Sequence, residues 1–381
     1  MSMRWERVEL GSEVTLLSGG TPKKSVPAFW DGEIPWVSSG EMTQRRIWDT
    51  ALHVTNEGAI KGTKLIPPKT VLVVVRGMSL AKEFRVSLTQ REVTFNQDIK
   101  ALKCSERLNP EFLYYYLLSQ ARSIRDSTTE ASHGTKKLES VILQKWPLPV
   151  PSDHEQLAIV EVLSKYDDLI FNNKRRVEIL EESARQLYKE WFVRFRFPGH
   201  EHVKIVDGVP EGWHRCQVGD LLTLQRGFDL PVKNRIEGTV PIYASTGING
   251  YHNEYKVKAP GIVTGRSGSL GTVLYVSKDF WPLNTALWVK EFKKVTPYYA
   301  LFFLQSLKLE NYNGGAAVPT LNRNDVHRIE TFSPPEKLLE SLNDYLNPIF
   351  DQIDTLAQQN LKLSQARDLL LPNLMNGEIA V

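Results

Sequence analysis

The stretch IPWVSSG at residues 34–40 returns in altered form as VPIYASTG at residues 240–247. Three more tracts recur in the same order in the second half of the chain. They are WERVELG at 5–11 with WHRCQVG at 213–219, RGMSL at 76–80 with RSGSL at 266–270, and LNPEFLYYYLLS at 108–119 with VTPYYALFFLQS at 295–306. A period this long excludes a solenoid of repeats of about 20–50 residues and indicates one unit present twice. Such a duplication can give one polypeptide an approximate two-fold axis, which suits a partner such as duplex DNA.

Each repeated half ends in a long helical pattern. The first opens with Ser152-Asp153-His154-Glu155 and the second with Ser333-Pro334-Pro335-Glu336. Both openings predict a capping box, in which the Ser hydroxyl and the Glu carboxylate satisfy free backbone amides of the first turn. Seam residues then recur in alternating steps of four and three, which is typical of a heptad repeat. They are Ile159, Leu163, Tyr166, Ile170, Asn173, Val177, Leu180, Ala184, Leu187 and Trp191, then Leu339, Leu342, Leu346, Ile349, Ile353, Leu356, Asn360, Leu363, Arg367 and Leu370.

Two such helices, each of about 35 residues and about 50 Å, are not stable alone in water. We expect them to pair as an antiparallel coiled coil, because the symmetry axis then crosses the pair at its middle. Asn173 and Asn360 lie at mid-seam positions, where a buried amide either fixes the register or faces a hydrated gap. Phe197-Pro198-Gly199 and Leu371-Pro372 are expected to end the helices, and Pro348 to kink the second or mark an irregular start.

The parts between the helices read as mixed globules. Short apolar runs broken by Gly, Pro and Asn, such as residues 69–77 and 261–277, predict strands and turns. The expected fold class is therefore α+β, with two pseudo-symmetric globules built on curved β-sheets and separated by the long helices. The expected boundaries are 1–151 for the first globule, 152–197 for the first helix, 198–212 for a linker, 213–333 for the second globule, 334–371 for the second helix and 372–381 for a C-terminal tail.

The net charge of +3 over 381 residues is unevenly distributed. Residues 1–151 and 213–335 each carry +5, whereas residues 152–197 carry −1 and residues 336–371 carry −3. Basic globules suit contact with phosphate, although excess Lys and Arg serves solubility equally well. No apolar run is long enough for a membrane span, and the N-terminus lacks the apolar stretch of a signal peptide, so we expect a cytoplasmic protein.

The sequence offers no reaction centre. GRSGSLG at 265–271 lies between predicted strands with no helix after it to face a phosphate, and a P-loop motif is absent. Asn109-Pro110-Glu111-Phe112 is similar to the Asn-Pro-Pro-Tyr/Phe loop of amino-methyltransferases, but Glu replaces the second Pro and the tetrapeptide suits a helix start. His200-Glu201-His202 is better explained as an exposed linker than as a metal site. Cys104 and Cys216 are expected to be buried thiols.

Over nearly its whole length, the chain resembles the specificity subunit of type I restriction-modification systems. The resemblance rests on the duplicated architecture, on the tracts IPWVSSGEM, VPIYASTGINGY, GRSGSLGTV, PEFLYYYLL and PYYALFFL, and on the ending ARDLLLPNLMNGEI. Members of that family are non-catalytic. They carry two target-recognition domains, each reading one half of a split DNA sequence, and two helices that set the distance between the halves and dock two methyltransferase subunits.

The resemblance implies that this chain is the DNA sequence-recognition subunit of such a complex. Its implied partners are double-stranded DNA, two methyltransferase subunits and, in the full complex, a nuclease/translocase subunit, with no membrane. No cofactor or metal is implied for this chain, because S-adenosylmethionine binds the methyltransferase. Two alternatives are a coiled-coil scaffold whose basic globules bind DNA without sequence specificity, and a complete methyltransferase, for which the motifs and the length are lacking.

Polar and basic residues in the repeated loops are the candidates for DNA contact, either at base edges or at phosphates. For the two arginines of the set, an ion pair with a carboxylate at a strand end is the competing interpretation. For the loops at 132–137 and 313–323, a solvated turn competes equally with phosphate contact. The predicted DNA-binding residues are Ser38, Ser39, Gly40, Arg76, Lys136, Lys137, Ser245, Thr246, Gly247, Arg266 and Arg323.

Overall fold

A computed structural model of the chain describes residues 5–130, 134–314 and 318–381. It divides into two compact units. Unit 1 comprises Met1–Phe171 and Asn360–Val381, and unit 2 comprises Asn172–Gln359. Both long helices cross this division, so each unit is a globule together with parts of both helices.

The globule of unit 1 is built on short strands and short helices. The strands are β1 Glu6–Glu9, β2 Val14–Ser18, β3 Trp30–Val37, β4 Arg46–Ile47, β5 His53–Val54, β6 Val71–Val74, β7 Arg76–Gly77, β8 Val86–Thr89, β9 Thr94–Phe95, β10 Ile99–Cys104, β11 Thr129–Glu130, β12 Lys136–Lys137 and β13 Pro147–Val150. The helices are α1 Leu10–Glu13, α2 Asn56–Gly62, α3 Pro110–Ser119, α4 Ala121–Asp126 and α5 Ser140–Gln144. The first long helix, α6, is Asp153–Tyr188, and a π-helical turn at Lys189–Val193 follows it.

The central sheet of unit 1 has the strand order β2-β10-β6-β8-β4, and all its pairs are antiparallel except β4 with β8. Its middle strand β6, with the sequence VLVV, is buried along its whole length, as expected for a continuous apolar run rich in β-branched residues. A smaller sheet has the order β5-β3-β9, with β3 parallel to β9. Two further ladders are β1-β13 and β11-β12-β7.

Helix α3 packs on the central sheet and begins with the tetrapeptide singled out in the sequence. The side-chain oxygen of Asn109 accepts hydrogen bonds from the amides of Glu111, at 2.8 Å, and Phe112, at 3.2 Å. Pro110 takes the first helical position, where no amide donor is needed. The prediction that this tetrapeptide starts a helix is confirmed.

Unit 2 repeats this plan. Its strands are β14 Ile205–Val206, β15 Val209–Pro210, β16 His214–Gln217, β17 Leu222–Arg226, β18 Val240–Ala244, β19 Gly247–His252, β20 Gly261–Gly265, β21 Val273–Val276, β22 Trp281–Pro282, β23 Ala286–Phe292 and β24 Glu330–Ser333. Its helices are α7 Val218–Leu221, α8 Pro297–Ser306, α9 Arg323–His327 and the second long helix, α10, Glu336–Met375.

The sheets of the two units correspond in order. The central sheet of unit 2 is β17-β23-β20-β21, which matches β2-β10-β6-β8, and the small sheet β19-β18-β22 matches β5-β3-β9. In both small sheets the second pairing is parallel, β18 with β22 and β3 with β9. The ladder β16-β24 likewise matches β1-β13. The predicted α+β class, with two globules and two long helices, is confirmed.

The two long helices begin by different devices. At α6 the amide of Ser152 donates to Glu155 at 2.9 Å and the amide of Glu155 donates to the Ser152 hydroxyl at 3.4 Å, so the predicted capping box is confirmed. At α10 the prediction is wrong. Ser333 is the last residue of β24 and pairs with His214, so its backbone belongs to a sheet, and the helix begins three residues later at Glu336.

The predicted helix ends are also wrong. The π-helical turn after α6 ends at Val193, before the predicted end at Phe197, because Phe195 takes a positive φ of 57°. Helix α10 runs through Pro372 to Met375, and Gly377, with φ of 69°, follows its end. Proline in a helix costs about 3 kcal/mol. Burial of Leu374 and Met375, each 1% exposed, opposes that cost.

Every predicted seam residue of α6 and α10 is buried or half-buried. In unit 1 the seam includes an ion pair, in which the guanidinium of Arg367 donates to Asp167 at 2.5 Å and both side chains are less than 8% exposed. The Tyr115 hydroxyl donates to the same carboxylate at 2.9 Å, and Asp368 accepts from Arg367 at 2.8 Å. In unit 2 the Asn173 amide lies 3.5 Å from the Gln359 side-chain oxygen.

We predict that Arg367→Ala lowers the free energy of unfolding of unit 1 by about 3–5 kcal/mol, because it removes the guanidinium bonded to the buried Asp167 carboxylate and leaves only Arg45, at 3.9 Å. Denaturant unfolding of the full chain measures the change. The matched control is Arg185→Ala, since Arg185 and its partner Glu182 are both exposed on α6. That change should cost less than about 1 kcal/mol. Equal losses in the two variants would contradict the assigned role of the buried pair.

Candidate nucleic-acid interface

The first predicted DNA loop, Ser38–Gly40, follows the carboxyl end of β3. Glu41 folds back on it and accepts hydrogen bonds from the Ser38 amide at 3.3 Å and the Ser38 hydroxyl at 3.0 Å. The guanidinium of Arg85 donates to the carbonyls of Ser39 and Gly40 at 3.2 and 3.4 Å. Because Arg85 leads into β8 of the central sheet, the loop is fixed to the end of that sheet.

Three predicted basic residues of unit 1 lie together on the ladder β11-β12-β7. Arg76 of β7 pairs in register with Lys137 of β12, next to Lys136. The Lys137 ammonium lies 2.8 Å from Glu139 and that of Lys136 lies 3.6 Å from Glu130. Within the described part of unit 1, Arg76 is exposed and forms no ion pair, so its guanidinium is available to an anionic partner.

In unit 2, Ser245 and Thr246 form a two-residue turn between β18 and β19. Ala244 pairs with Gly247 across this hairpin, and Gly247 has a φ of 111°, a value that favours glycine. Ser245 is only 9% exposed. Thr246 is therefore the member of this turn that faces solvent fully.

Arg266 follows the end of β20 beside this hairpin. Its guanidinium donates to the carbonyl of Asn284 at 3.2 Å, and its own carbonyl accepts from Leu321 at 2.8 Å. This tether uses one of the five N–H donors of the guanidinium, which leaves others for a ligand. The competing interpretation, a carboxylate partner at the strand end, does not describe the contact seen, since the acceptor is a backbone carbonyl.

The last predicted residue, Arg323, is exposed in the first turn of α9, after the cap residue Asn322. At the other end of this helix, His327 anchors it to the central sheet, because its Nε2 accepts a hydrogen bond from the amide of Leu224 at 2.9 Å. Burial, together with the charges of Arg323 and Lys293, lowers the pKa of His327 below its ordinary value of 6.5.

The predicted residues lie at strand ends in each unit. In unit 1, Ser38–Gly40 follows β3, and Arg76 pairs with Lys137 on the ladder β12-β7. In unit 2, the turn 245–247 joins β18 and β19, Arg266 follows β20, and Arg323 lies two residues after Leu321, whose amide donates to the Arg266 carbonyl. Residues 132–133 of the first predicted loop and 315–317 of the second lie outside the described residues.

The pairing of the two arginines across the repeat is wrong by one residue. The amide of Val75 donates to Asp98 at 2.9 Å as that of Arg266 donates to Thr285 at 2.9 Å, so the counterpart of Arg266 is Val75. Arg76 then corresponds to Ser267, and the positive-φ glycines Gly77 and Gly268 coincide. The sequence alignment of the two tracts matched the two arginines because they are identical residues, whereas the hydrogen-bond register of the sheets does not match them.

Sequence reasoning missed Glu41 and Arg85, the residues that hold the first loop. Neither lies in a repeated tract. Arg85 contacts Ser39, which is distant in the sequence, and no spacing or periodicity marks such a contact. Glu41 bonds Ser38, three residues earlier, as well as Ala51 at 2.7 Å, so the spacing Ser38-x-x-Glu41 is a signal that could have identified it.

Among the described residues, no cluster of three His, Cys, Asp or Glu side chains is arranged to hold a metal ion.

Cys104 and Cys216 are free and half-buried, less buried than predicted, and burial raises the pKa of Cys104 to about 12. None of the described helices has the length and apolar character needed to cross a membrane.

A sequence model of the type I restriction modification DNA specificity domain matches the chain twice, over residues 3–182 and 210–365. The chain belongs to this specificity family. The resemblance stated from the sequence is confirmed, and each match includes one globule and a large part of a long helix.

Named relatives of the specificity family agree with this assignment. The type I restriction enzyme MjaIX specificity subunit of Methanocaldococcus jannaschii is 27% identical over an alignment that covers 99% of this chain and 94% of the relative. The EcoR124I/EcoR124II specificity subunit of Escherichia coli is 31% identical over 49% of this chain and 46% of the relative. The crystal structure of the type I S subunit from M. genitalium shares the fold, with a TM-score of 0.59, 19% identity and coverage of 98% of this chain and 96% of that one.

We predict that acid destabilises unit 2 through His327. Its pKa is lower in the folded protein than in the unfolded chain, so the stability it contributes is present above about pH 6.5 and is lost as the pH falls through the folded value. The measurement is the free energy of unfolding at about pH 8 and about pH 5, compared with His327→Gln, which keeps a neutral acceptor. The wild type should lose more stability than the variant, and an equal loss would show that His327 is not responsible.

Proposed function

We propose that this chain is the DNA sequence-recognition subunit of a type I restriction-modification complex, in which each globule reads one half of a bipartite target. The observation that carries the proposal is the double match to a DNA specificity domain, with one match for each globule. The polar and basic side chains at the strand ends of each globule support it, since base edges and phosphates are read by such side chains.

We further propose pseudo-symmetry of the two globules and an antiparallel coiled coil of α6 and α10. Matched strand orders support the symmetry. Contacts within each unit support the pairing. In unit 2, Trp191 near the end of the first helix packs edge-on against Tyr345 near the start of the second, with ring centroids 5.5 Å apart. In unit 1, Asp167 in the first half of α6 pairs with Arg367 near the end of α10. Residue numbers therefore increase along one helix where they decrease along the other, which supports opposite helix directions.

The proposed partners are double-stranded DNA, two methyltransferase subunits docked on the helices, and a nuclease/translocase subunit in the full complex. The chain itself is proposed to be non-catalytic, with S-adenosylmethionine bound by the methyltransferase, and to act in the cytoplasm. The proposed boundaries between globules and helices are those expected from the sequence, with the observed helix bounds replacing them where the two differ.

Within the interface, Arg76 and Arg266 are proposed to contact bases, together with the polar residues of the two loops, Ser38–Gly40 and 245–247. Lys136, Lys137 and Arg323 are proposed to contact phosphates. The Lys136 ammonium lies 3.6 Å from the carboxylate of the exposed Glu130, which is a weak ion pair. This supports a phosphate contact for Lys136, because a DNA phosphate can replace the Glu130 carboxylate as its partner.

The test of the function uses the chain together with its methyltransferase partner in a host that lacks other DNA modification. Modified adenines are mapped on DNA of random sequence. We expect one bipartite motif with a fixed spacer. Inserting seven residues in register into each long helix adds roughly 10 Å, or about three base pairs of duplex, and preserves the heptad seam. The lengthened protein should therefore modify the same two half-sites at a longer spacer.

Two results would contradict parts of this proposal. Modification, or DNA binding, that is indifferent to sequence would identify a scaffold and not a recognition subunit. An unchanged spacer in a folded and active lengthened protein would show that the helices do not set the distance between half-sites.

We predict that Arg76→Ala and Arg266→Ala each weaken binding to the mapped target by about 1–3 kcal/mol and relax one base position, in different half-sites. Binding is measured on the target and on single-base variants over a range of salt. The controls are Lys136→Ala and Lys137→Ala, which should weaken all sequences alike and reduce the salt slope by about one for each phosphate that is no longer neutralised. Unchanged affinity in both arginine variants would remove those residues from the interface.

A further inference from the structure

The two units differ at the first predicted DNA loop. In unit 2 the matched strands β18 and β19 are joined by the two residues Ser245 and Thr246. In unit 1 the corresponding strands β3 and β5 are separated by residues 38–52, which include the short strand β4. We refer to residues 38–52 as the insertion.

The insertion is braced internally by one carboxylate. Oε2 of Glu41 accepts from the Ser38 amide and hydroxyl, and Oε1 accepts from the Ala51 amide at 2.7 Å. These bonds join its first and penultimate residues. The DNA loop Ser38–Gly40 therefore moves together with the rest of the insertion.

The middle of the insertion reaches both long helices. Arg46 forms an ion pair with Asp168 of α6. The guanidinium of Arg45 lies 3.5 Å from Asp368 of α10 and 3.9 Å from the buried Asp167 of α6. Trp48 stacks on Phe171 of α6, with ring centroids 6.1 Å apart. Three side chains within four consecutive positions thus contact the helices, while the backbone of Arg45 and Arg46 is held to β8 of the central sheet.

We propose that Arg45 and Arg46 are positioning residues for the DNA loop of unit 1, acting as a strut between that loop and the helices. The inference rests on the proposed function. The strut holds Ser38–Gly40 at a fixed orientation to α6 and α10 and so makes the reading of one half-site depend on the helices. Asp168 and Asp368 are each 54% exposed, so the ion pairs with these two carboxylates contribute little to stability, and their role in the proposal is to orient the insertion on the helices.

The experiment compares two double variants in the complex with the methyltransferase partner. Arg45→Gln/Arg46→Gln removes the strut from the loop side and leaves Asp167 its partner Arg367. Asp168→Asn/Asp368→Asn weakens it from the helix side without changing the insertion. Arg45 then keeps only its 3.9 Å approach to Asp167, and the bond that Asp368 accepts from Arg367 is weakened as well. The second variant separates the strut from direct contact of the arginines with DNA, because both carboxylates lie on the helices. Arg185→Gln, an exposed arginine of α6 in unit 2, is the matched control.

Modified adenines are mapped on DNA of random sequence, and base selectivity is scored separately in each half-site. We expect both double variants to lose roughly three- to tenfold in selectivity in one half-site only, the same half-site affected by Arg76→Ala, with the other unchanged. The control should match the wild type. Melting temperatures of the variants show that they are folded.

Three outcomes would contradict the proposal that Arg45 and Arg46 position the DNA loop. They are unchanged selectivity in both variants, equal losses in both half-sites, and an effect of the arginine variant that the aspartate variant does not reproduce. The last would assign the arginines to direct contact with DNA. Failure of the proposed function is distinct, because the wild type would then yield no bipartite motif.

Discussion

A carboxylate and a guanidinium, those of Asp167 and Arg367, are buried together in the apolar seam of unit 1. Removing such ions from water costs several kcal/mol each, and the cost is met only when geometry and further hydrogen bonds are favourable. Here the Tyr115 hydroxyl and Asp368 supply those bonds. An ion pair in a seam is satisfied at one helix register only. The pair therefore fixes α6 against the end of α10, and through Tyr115 it fixes α3, on which the central sheet of the globule packs.

At the matched position, unit 2 uses aromatic packing in place of the buried ion pair. In the repeated tract of α3 and α8, Tyr115 corresponds to Phe302, and Phe302 faces Phe350 of α10 with ring centroids 6.4 Å apart. Tyr298 stacks on the same ring at 4.5 Å. Aromatic packing tolerates small shifts that an ion pair does not, since dispersion and burial have little directional demand. The two junctions between globule and helices are thus chemically different although their strand orders correspond.

The sequence predicted the elements that depend on local pattern. The heptad positions were found to be buried or half-buried because the 3.6-residue period is a property of the helix itself, and the Ser152–Glu155 cap formed because its partners are three residues apart. The ends of α10 were not predicted, because Ser333 is held by the distant strand β16 and Pro372 is retained by the burial of Leu374 and Met375. The candidate DNA loops were identified from the repeated tracts, but the role of Arg85 and the one-residue offset of Arg266 follow from long-range contacts and sheet register. Two identical residues in a sequence repeat need not occupy the same position in the sheet register.

Unit 1 is assembled from two segments of the chain that unit 2 separates, and this order matters for biosynthesis. Unit 2 is continuous from Asn172 to Gln359, so all its residues are synthesised before the last part of α10. The apolar seam residues Ile159 and Leu163 share a core with Leu371 and Leu374, which are synthesised after the whole of unit 2. Since domains generally fold as units during translation, unit 2 can complete its core while the seam of unit 1 is still open. The globule whose synthesis begins first therefore completes its core after the other has been synthesised.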